Sequence, residues 1–190
     1  LSVYHPNASV VIISDSRTKY TIESITPQPR LKLQWSILLD KYSDLDRQTM
    51  ERENTWATFQ MFKATAIQEA LHNYPDTLFL DSDIIVTGAI EDIDTSKALG
   101  VSPHYMKKEA TDKYGYYNGG MLWTNHKDVP NDWMEFTKTS RYYDQASIED
   151  LAQKYSHFCF GENYNTQGWR IYHHPDGPDA FAKNFGYNDK

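Results

Sequence analysis

The chain has 190 residues, of which 39% are apolar, and a formal net charge of −7. This composition predicts a folded chain with a sizeable core and excludes a mainly disordered one. The acidic balance argues against a nucleic-acid partner, because surfaces that bind nucleic acid are basic. No apolar run approaches the ~18 residues that a membrane span requires, so we predict no membrane span in this chain.

The single cysteine and the opening residues give two further expectations. Cys159 has no partner for an internal disulfide, which favours a reducing compartment such as the cytoplasm, and we expect a small buried side chain there. Leu1–Pro6 is typical of the end of a helix and carries no signal-peptide pattern. We therefore expect that a strand and most of a helix precede it.

The first half of the chain alternates strand-like and helical patterns. Ser9–Ile13 is a β-branched apolar run that predicts a buried strand, whereas Leu31–Leu39 is ambiguous between strand and helix. Thr55–Asn73 has apolar residues at helical spacing on one face and predicts a long helix that ends at Pro75. Thr77–Leu80 then predicts a short buried strand.

The second half continues the alternation, so the sequence predicts an α/β fold. Strands that alternate with helices favour a mostly parallel sheet covered by helices, and the length favours a single domain over residues 1–190. In such sheets, ligands bind beyond the carboxyl ends of the strands. The predicted elements are strands at Leu99–Ser102 and Gly119–Thr124 and near Phe158 and Ile171, and helices at Trp133–Thr139 and Gln145–Tyr155.

Two carboxylates follow the strand predicted at Thr77–Leu80. Asp81 and Asp83 are separated by one small residue, so in an extended chain their side chains point the same way. Two carboxylates on one side form a hard oxygen site for Mn²⁺ or Mg²⁺, and such an ion can neutralise a diphosphate leaving group. The alternative is that both are turn and cap residues, which commonly follow strands.

Lys63 lies on the apolar face of the predicted long helix, aligned with Trp56 and Ile67, where a lysine is unusual. Measured from the turn at Pro75, it lies about 15–18 Å back along the helix, and Asp81 lies about 17–20 Å forward along the strand. If the helix and strand pack antiparallel, Lys63 meets the acidic pair and can balance its charge or bind a phosphate. The alternative is a lysine with a buried stem and a solvated ammonium.

Four segments resemble, in order, motifs of the GT-A-fold glycosyltransferases, especially glycosyltransferase family 8. Leu78–Val86 resembles the family's Asp-x-Asp segment. Tyr117–Leu122 resembles its Asn-Ser-Gly strand, with Gly119 in place of the serine, and Tyr143–Ile148 resembles its Asp-Gln helix start. Ile171–His174 resembles its Ile-x-His metal ligand.

The resemblance implies a single GT-A (Rossmann-like) domain that lacks the family's first strand, since residues 6–15 resemble the second. It implies that Asp81 and Asp83 bind the metal and that His173, or alternatively His174, completes the metal shell. A histidine ligand favours Mn²⁺ over Mg²⁺. The family's C-terminal Gly-x-x-Lys-Pro-Trp is not recognisable after His174, so the last phosphate contact has no match here.

The same resemblance places Asn118 and Gly119 along the donor sugar, and Asp144 and Gln145 near the anomeric carbon. We also predict that Lys63 binds the donor and takes part in catalysis, because the helix and strand lengths bring it level with Asp81. The implied enzyme is a hexosyltransferase that moves a sugar from a nucleoside diphosphate, expected to be UDP, to a hydroxyl of a glycan, protein or small molecule. Retention at the anomeric carbon is expected, whereas an inverting enzyme would need a general base, for which Asp144 is the first candidate.

Other interpretations stay open. Asn118–Gly120 can be a turn, Asp144 a helix N-cap, and His173–His174 a surface loop. A metal-dependent nucleotidyltransferase uses similar carboxylates, but it normally has a glycine-rich basic phosphate loop near its start, which the printed sequence lacks. A non-catalytic sugar-binding module on the same fold would bind a glycan without the metal, and a hydrolase would split the donor with water.

Overall fold

A computed structural model describes residues 1–25, 31–104 and 108–165. The strand predicted near Ile171 and the expected metal ligands His173 and His174 lie outside these residues. Within them the chain is α/β, with helices and with strands paired in both directions. No helix in this part of the chain is long and apolar enough to cross a membrane.

The strands of the described residues form two separate sheets. They are β1 (Ser9–Ser14), β2 (Lys32–Ile37), β3 (Thr77–Leu80), β4 (Leu99–Pro103), β5 (Tyr117–Thr124) and β6 (His157–Cys159). β1 and β2 form a parallel pair, and the other four form a sheet of order β3-β5-β4-β6. The ambiguous segment Leu31–Leu39 is thus a strand. Cys159, which was expected to be buried, is exposed.

Two of the predicted helices are each divided into a pair of shorter ones. The helices of the described ranges are α1 (Ser16–Ile25), α2 (Arg47–Arg52), α3 (Trp56–Gln60), α4 (Phe62–Asn73), α5 (Lys108–Tyr114), α6 (Val129–Thr137), α7 (Tyr143–Ala146) and α8 (Ile148–Lys154). The helix predicted at Thr55–Asn73 is interrupted at Met61, and the one predicted at Gln145–Tyr155 is interrupted at Ser147.

The larger sheet is mostly antiparallel, so the expectation of a mostly parallel sheet is wrong for it. β5 runs antiparallel to both β3 and β4, and β4 and β6 are parallel. A parallel β4–β5 pair would need a helix that crosses over one face of the sheet. α5 lies between these strands in sequence but buries no residue, so it does not cover a face and the chain reverses direction instead.

The core lies on the larger sheet. On one face, Leu122 of β5 packs in a cluster with Trp133 of α6 and Leu151 of α8, and all three are 0% exposed. Successive strand residues face opposite sides, so Trp123 joins a second cluster with Phe160 on the other face. α4 packs against both β3 and β1 and thereby links the two sheets.

Candidate active site

The packing of α4 on β3 brings Lys63 to Asp81. α4 ends at Asn73 and β3 begins at Thr77, so a short turn returns the chain along the helix. Lys63 Nζ lies 3.2 Å from Asp81 Oδ2, as the helix and strand rises predict. The Lys63 side chain is 18% exposed, and its ammonium lies 5.7 Å from the ring centre of Phe79. The ammonium is therefore held by protein groups instead of extending into water.

An irregularity in β5 places Asn118, Gly119 and Gly120 beside this ion pair. On the β4 side, the residues Asn118–Met121 stand opposite the single residue Ser102, which is a bulge of the kind that re-aims a strand at a functional site. Gly119 O accepts a hydrogen bond from the lysine ammonium at 3.2 Å, and Asn118 Oδ1 accepts one from the Gly120 N–H at 2.6 Å. These residues belong to β5, and the bond from the Gly120 N–H to Asn118 Oδ1 forms an Asx turn within that strand.

Asp144 joins the cluster from a distant part of the chain. It lies in α7, is 2% exposed, and its Oδ2 lies 2.9 Å from Lys63 Nζ. Tyr142, not Asp144, occupies the cap position of this helix, so the N-cap interpretation is wrong. No local pattern encodes the contact between Asp144 and Lys63, and the family resemblance alone indicated this aspartate.

The electrostatics of the cluster leave negative charge in excess. Burial alone would lower the pKa of Lys63, but the carboxylates of Asp144 and Asp81 outweigh burial, and the pKa is raised. Burial raises the pKa of Asp81 above its ordinary value. Lys63 opposes this rise, whereas the neighbouring charges of Asp144 and Asp83 add to it. Two carboxylates, those of Asp81 and Asp144, therefore share the Lys63 ammonium, and Asp83 adds negative charge near Asp81.

Asp83 follows Asp81 in a turn instead of an extended strand. β3 ends at Leu80, and the Ile84 N–H donates to Asp81 O at 3.2 Å. The extended-chain argument that both carboxylates point the same way therefore does not apply here. Asp83 is exposed, while the side chain of Asp81 is 34% exposed, so the acidic pair extends from the cluster to solvent.

Gly119 and Gly120 leave room for the charged groups. A Cβ on Gly119 would lie 2.7 Å from Asp144 Oδ2 and 3.5 Å from Lys63 Nζ. A Cβ on Gly120 would lie 3.1 Å from Asp81 Oδ2. The closest of these approaches is shorter than a van der Waals contact permits, which gives a physical reason for glycine at position 119.

Gln145 lies next to Asp144 but bonds away from the lysine. Its Nε2 donates to Tyr114 O at 2.8 Å, and its side chain also bonds His104. Burial lowers the pKa of His104, and the bond with Gln145 opposes this change. The sequence analysis did not single out His104, which follows the end of β4 directly.

The structure thus brings most of the predicted site residues together, and they are Lys63, Asp81, Asn118, Gly119 and Asp144. In residues 1–25, 31–104 and 108–165, no group of three or more His, Cys, Asp or Glu side chains is placed to hold a metal ion. The expected third ligand, a histidine, lies outside these ranges. Comparison of the chain with protein-family models, with curated proteins and with solved structures gave no match.

Proposed function

We propose that this chain is a metal-dependent glycosyltransferase with a GT-A-like fold, which moves a sugar from a nucleoside-diphosphate sugar to an acceptor hydroxyl. The observation that carries the proposal is the cluster of Lys63, Asp81 and Asp144 beside two glycines of β5. It combines excess negative charge for a divalent cation, an ammonium for a phosphate, and close access to the backbone for a sugar.

Mn²⁺ or Mg²⁺ fits the donor set, with Asp81 and Asp83 as its ligands among the described residues. Carboxylate oxygens are ligands that both ions prefer. The raised pKa of Asp81 supports the fit, because burial and neighbouring carboxylates leave a charge there that a further cation would stabilise. When bound, such an ion supplies charge neutralisation for the departing diphosphate.

Lys63 is the residue that we assign to the diphosphate. An ammonium has three N–H groups, and here Asp81, Asp144 and the Gly119 carbonyl accept from them. Lys63 can therefore meet a phosphate only by exchanging one partner. Asp81 is the exchangeable one, because its side chain is 34% exposed whereas that of Asp144 is 3% exposed.

The environment of Asp144 favours an orienting role over proton abstraction. A general base for an inverting reaction must reach the acceptor hydroxyl and take its proton. Asp144 is buried and ion-paired with Lys63, which suits a carboxylate that orients the donor and stabilises charge near the anomeric carbon. We therefore include retention of configuration in the proposal, with Asn118 and Gly119 along the donor sugar.

A thermal-shift screen of UDP-sugars with and without Mn²⁺ tests the proposal. A true donor at 100 times its Kd should stabilise the folded chain by about 2.7 kcal/mol, and only with the metal. Asp83→Asn should abolish this effect, whereas Asp150→Asn, at an exposed site on α8, should not. Stabilisation that persists in Asp83→Asn would reject the metal assignment.

Product analysis then separates the rival activities. A glycosyltransferase releases UDP only when an acceptor is present, and a hydrolase releases UDP and free sugar without one. A nucleotidyltransferase would instead release pyrophosphate from a nucleoside triphosphate. Binding of free glycan without any metal dependence would favour a non-catalytic sugar-binding module.

A further inference from the structure

The residue before Asp144 has a strained backbone, and the carbonyl of Asp144 itself is held by two hydrogen bonds. Tyr143 has a φ of 44°, a left-handed conformation that is rare for a bulky aromatic residue and persists only where the surroundings enforce it. The carbonyl of Asp144 accepts two buried hydrogen bonds, from Trp133 Nε1 at 2.8 Å and from Ser147 Oγ at 2.7 Å. Trp133 and Ser147 are both 0% exposed, so water does not compete for these bonds.

Thr137 adds a second hydroxyl to this network. Thr137 Oγ1 lies 2.9 Å from Ser147 Oγ and 2.8 Å from Trp133 O, and each hydroxyl has one proton to donate. Among the described residues, the two hydroxyls make three contacts. Thr137 Oγ1 donates to Trp133 O and Ser147 Oγ donates to Asp144 O, so both protons are used by these two bonds. The bond from Ser147 adds to the bond from Trp133 at the Asp144 carbonyl.

The two carboxylate partners of Lys63 are therefore held very differently. Asp144 is buried, and two side chains hold its carbonyl in place. Asp81 follows the end of β3, precedes a turn and is partly exposed. A lysine between a fixed and an exchangeable carboxylate can change one hydrogen bond without losing its own position.

We propose that Trp133 is a positioning residue: with Ser147, it holds the Asp144 backbone so that Lys63 stays in place when it exchanges Asp81 for a ligand. The effect that we expect on catalysis rests on the proposed function. The effect that we expect on the Asp144–Lys63 ion pair does not rest on it, because the ion pair exists in the protein without any ligand.

The ion pair is tested by nitrogen–proton NMR of the Lys63 ammonium at constant pH without ligands. The protons of a lysine ammonium exchange slowly with water only when protein acceptors hold them. Trp133→Phe and Ser147→Ala should each accelerate this exchange about threefold to tenfold, which is the effect of losing one buried hydrogen bond. Trp123→Phe is the matched control, because it shortens a buried tryptophan of the opposite core cluster and should leave the Lys63 signal unchanged.

Unchanged Lys63 exchange in both folded variants would overturn the proposal. If Trp133→Phe does not fold, the smaller change Ser147→Ala carries the test alone. In a transfer assay, we expect kcat to fall about threefold to tenfold while the donor KM stays within about twofold. A raised KM with unchanged kcat would assign Trp133 to general integrity of the site. Absence of transfer by the unmodified chain would reject the proposed function but leave the NMR result valid.

Discussion

The inner strands β4 and β5 of the larger sheet are buried far more deeply than the strands of the smaller sheet. The outer strands of the larger sheet, β3 and β6, have no buried residue. In β1 only Ser14 is buried, whereas every residue of β4 and all residues of β5 except Asn118 are buried. Both core clusters of the described residues lie on the larger sheet, and neither β1 nor β2 contributes to them. A β-branched apolar run therefore predicts a strand, but its burial depends on which elements cover the faces of the sheet.

The contrast also explains where the charged cluster lies. Lys63 is on α4, and Gly119 is on β5, one of the two inner strands of the larger sheet. Elements that are packed on several sides hold side chains more accurately than loosely covered ones. The smaller sheet supplies none of the residues of the described cluster, and we expect it to open at lower free energy.

The largest expected effect comes from removing the cation of the cluster. Lys63→Met leaves the buried Asp144 without its counter-charge and should lower the free energy of unfolding by about 3–5 kcal/mol. Lys32→Met, at an exposed position of β2, should change it by less than about 0.5 kcal/mol. Denaturant unfolding measures both values. Adding Asp144→Asn to Lys63→Met should restore most of the loss, and a fully stable single variant would contradict the ion-pair account.

Truncations in the two sheets test the burial contrast directly. Leu122→Ala removes a side chain that is 0% exposed and should cost about 3 kcal/mol of unfolding free energy. Ile12→Ala, in the half-buried β1, should cost about 1 kcal/mol because less apolar surface is lost. Equal costs in urea unfolding would show that the two sheets are equally well packed.

A side chain at position 119 should disturb the cluster without touching the core. Gly119→Ala places a Cβ 2.7 Å from Asp144 Oδ2, so the carboxylate must move, at a cost of about 1–3 kcal/mol. Gly88→Ala is the control, because no atom lies within 4 Å of its added Cβ. Thermal unfolding of both variants measures the difference in stability. An unchanged Gly119→Ala variant would mean that Asp144 is not held where the structure has it.

The smallest effect concerns the ion pair of Arg141 with Glu149. Arg141 bonds Glu149 through two nitrogens, at 2.6 Å and 2.9 Å, and the Tyr116 N–H donates to the same carboxylate. The bonds from Arg141 hold the pKa of Glu149 below its usual value. A lowered carboxylate pKa stabilises the fold at neutral pH, and this stabilisation is lost as the pH falls through the lowered pKa.

Glu149→Gln should therefore cost about 1 kcal/mol at pH 7, and the difference from the unmodified chain should vanish in acid. Urea unfolding at a series of pH values measures it. Glu135→Gln, in an exposed pair with Lys138, should have almost no effect at any pH. A cost for Glu149→Gln that does not depend on pH would assign the effect to packing instead of charge.

The parts of the fold that local patterns encode could be predicted, and the parts that depend on distant contacts could not. The strands at Ser9–Ile13 and Thr77–Leu80 were predicted because their apolar runs are continuous. The prediction that they are buried is wrong, because Ser9 is exposed and the other residues are half-buried. The approach of Lys63 to Asp81 was predicted because one short turn joins one helix to one strand. The direction of β5 was not predicted correctly, because α5 lies between β4 and β5 in sequence but does not cross over the sheet.

In the site too, contacts between residues far apart in sequence could not be predicted. The ion pair of Asp144 with Lys63 depends on how α7 packs near β5, which no spacing in the sequence specifies. The turn at Asp81 was only an alternative in the sequence analysis, because an Asp-x-Asp segment is compatible with both an extended and a turned backbone. The sequence shows that Gly119 replaces a serine of the motif it resembles. The reason for a glycine there is visible only once the position of Asp144 is known.

Isothermal titration calorimetry with UDP, the part that all UDP-sugars share, tests the central claim most directly. We predict that UDP binds the unmodified chain in the presence of Mn²⁺, that a chelator removes the binding, and that Asp83→Asn weakens it by at least about tenfold, the equivalent of ~1.4 kcal/mol. Equal UDP affinity with chelator, or in Asp83→Asn, would contradict a metal-bridged diphosphate site at Asp81 and Asp83.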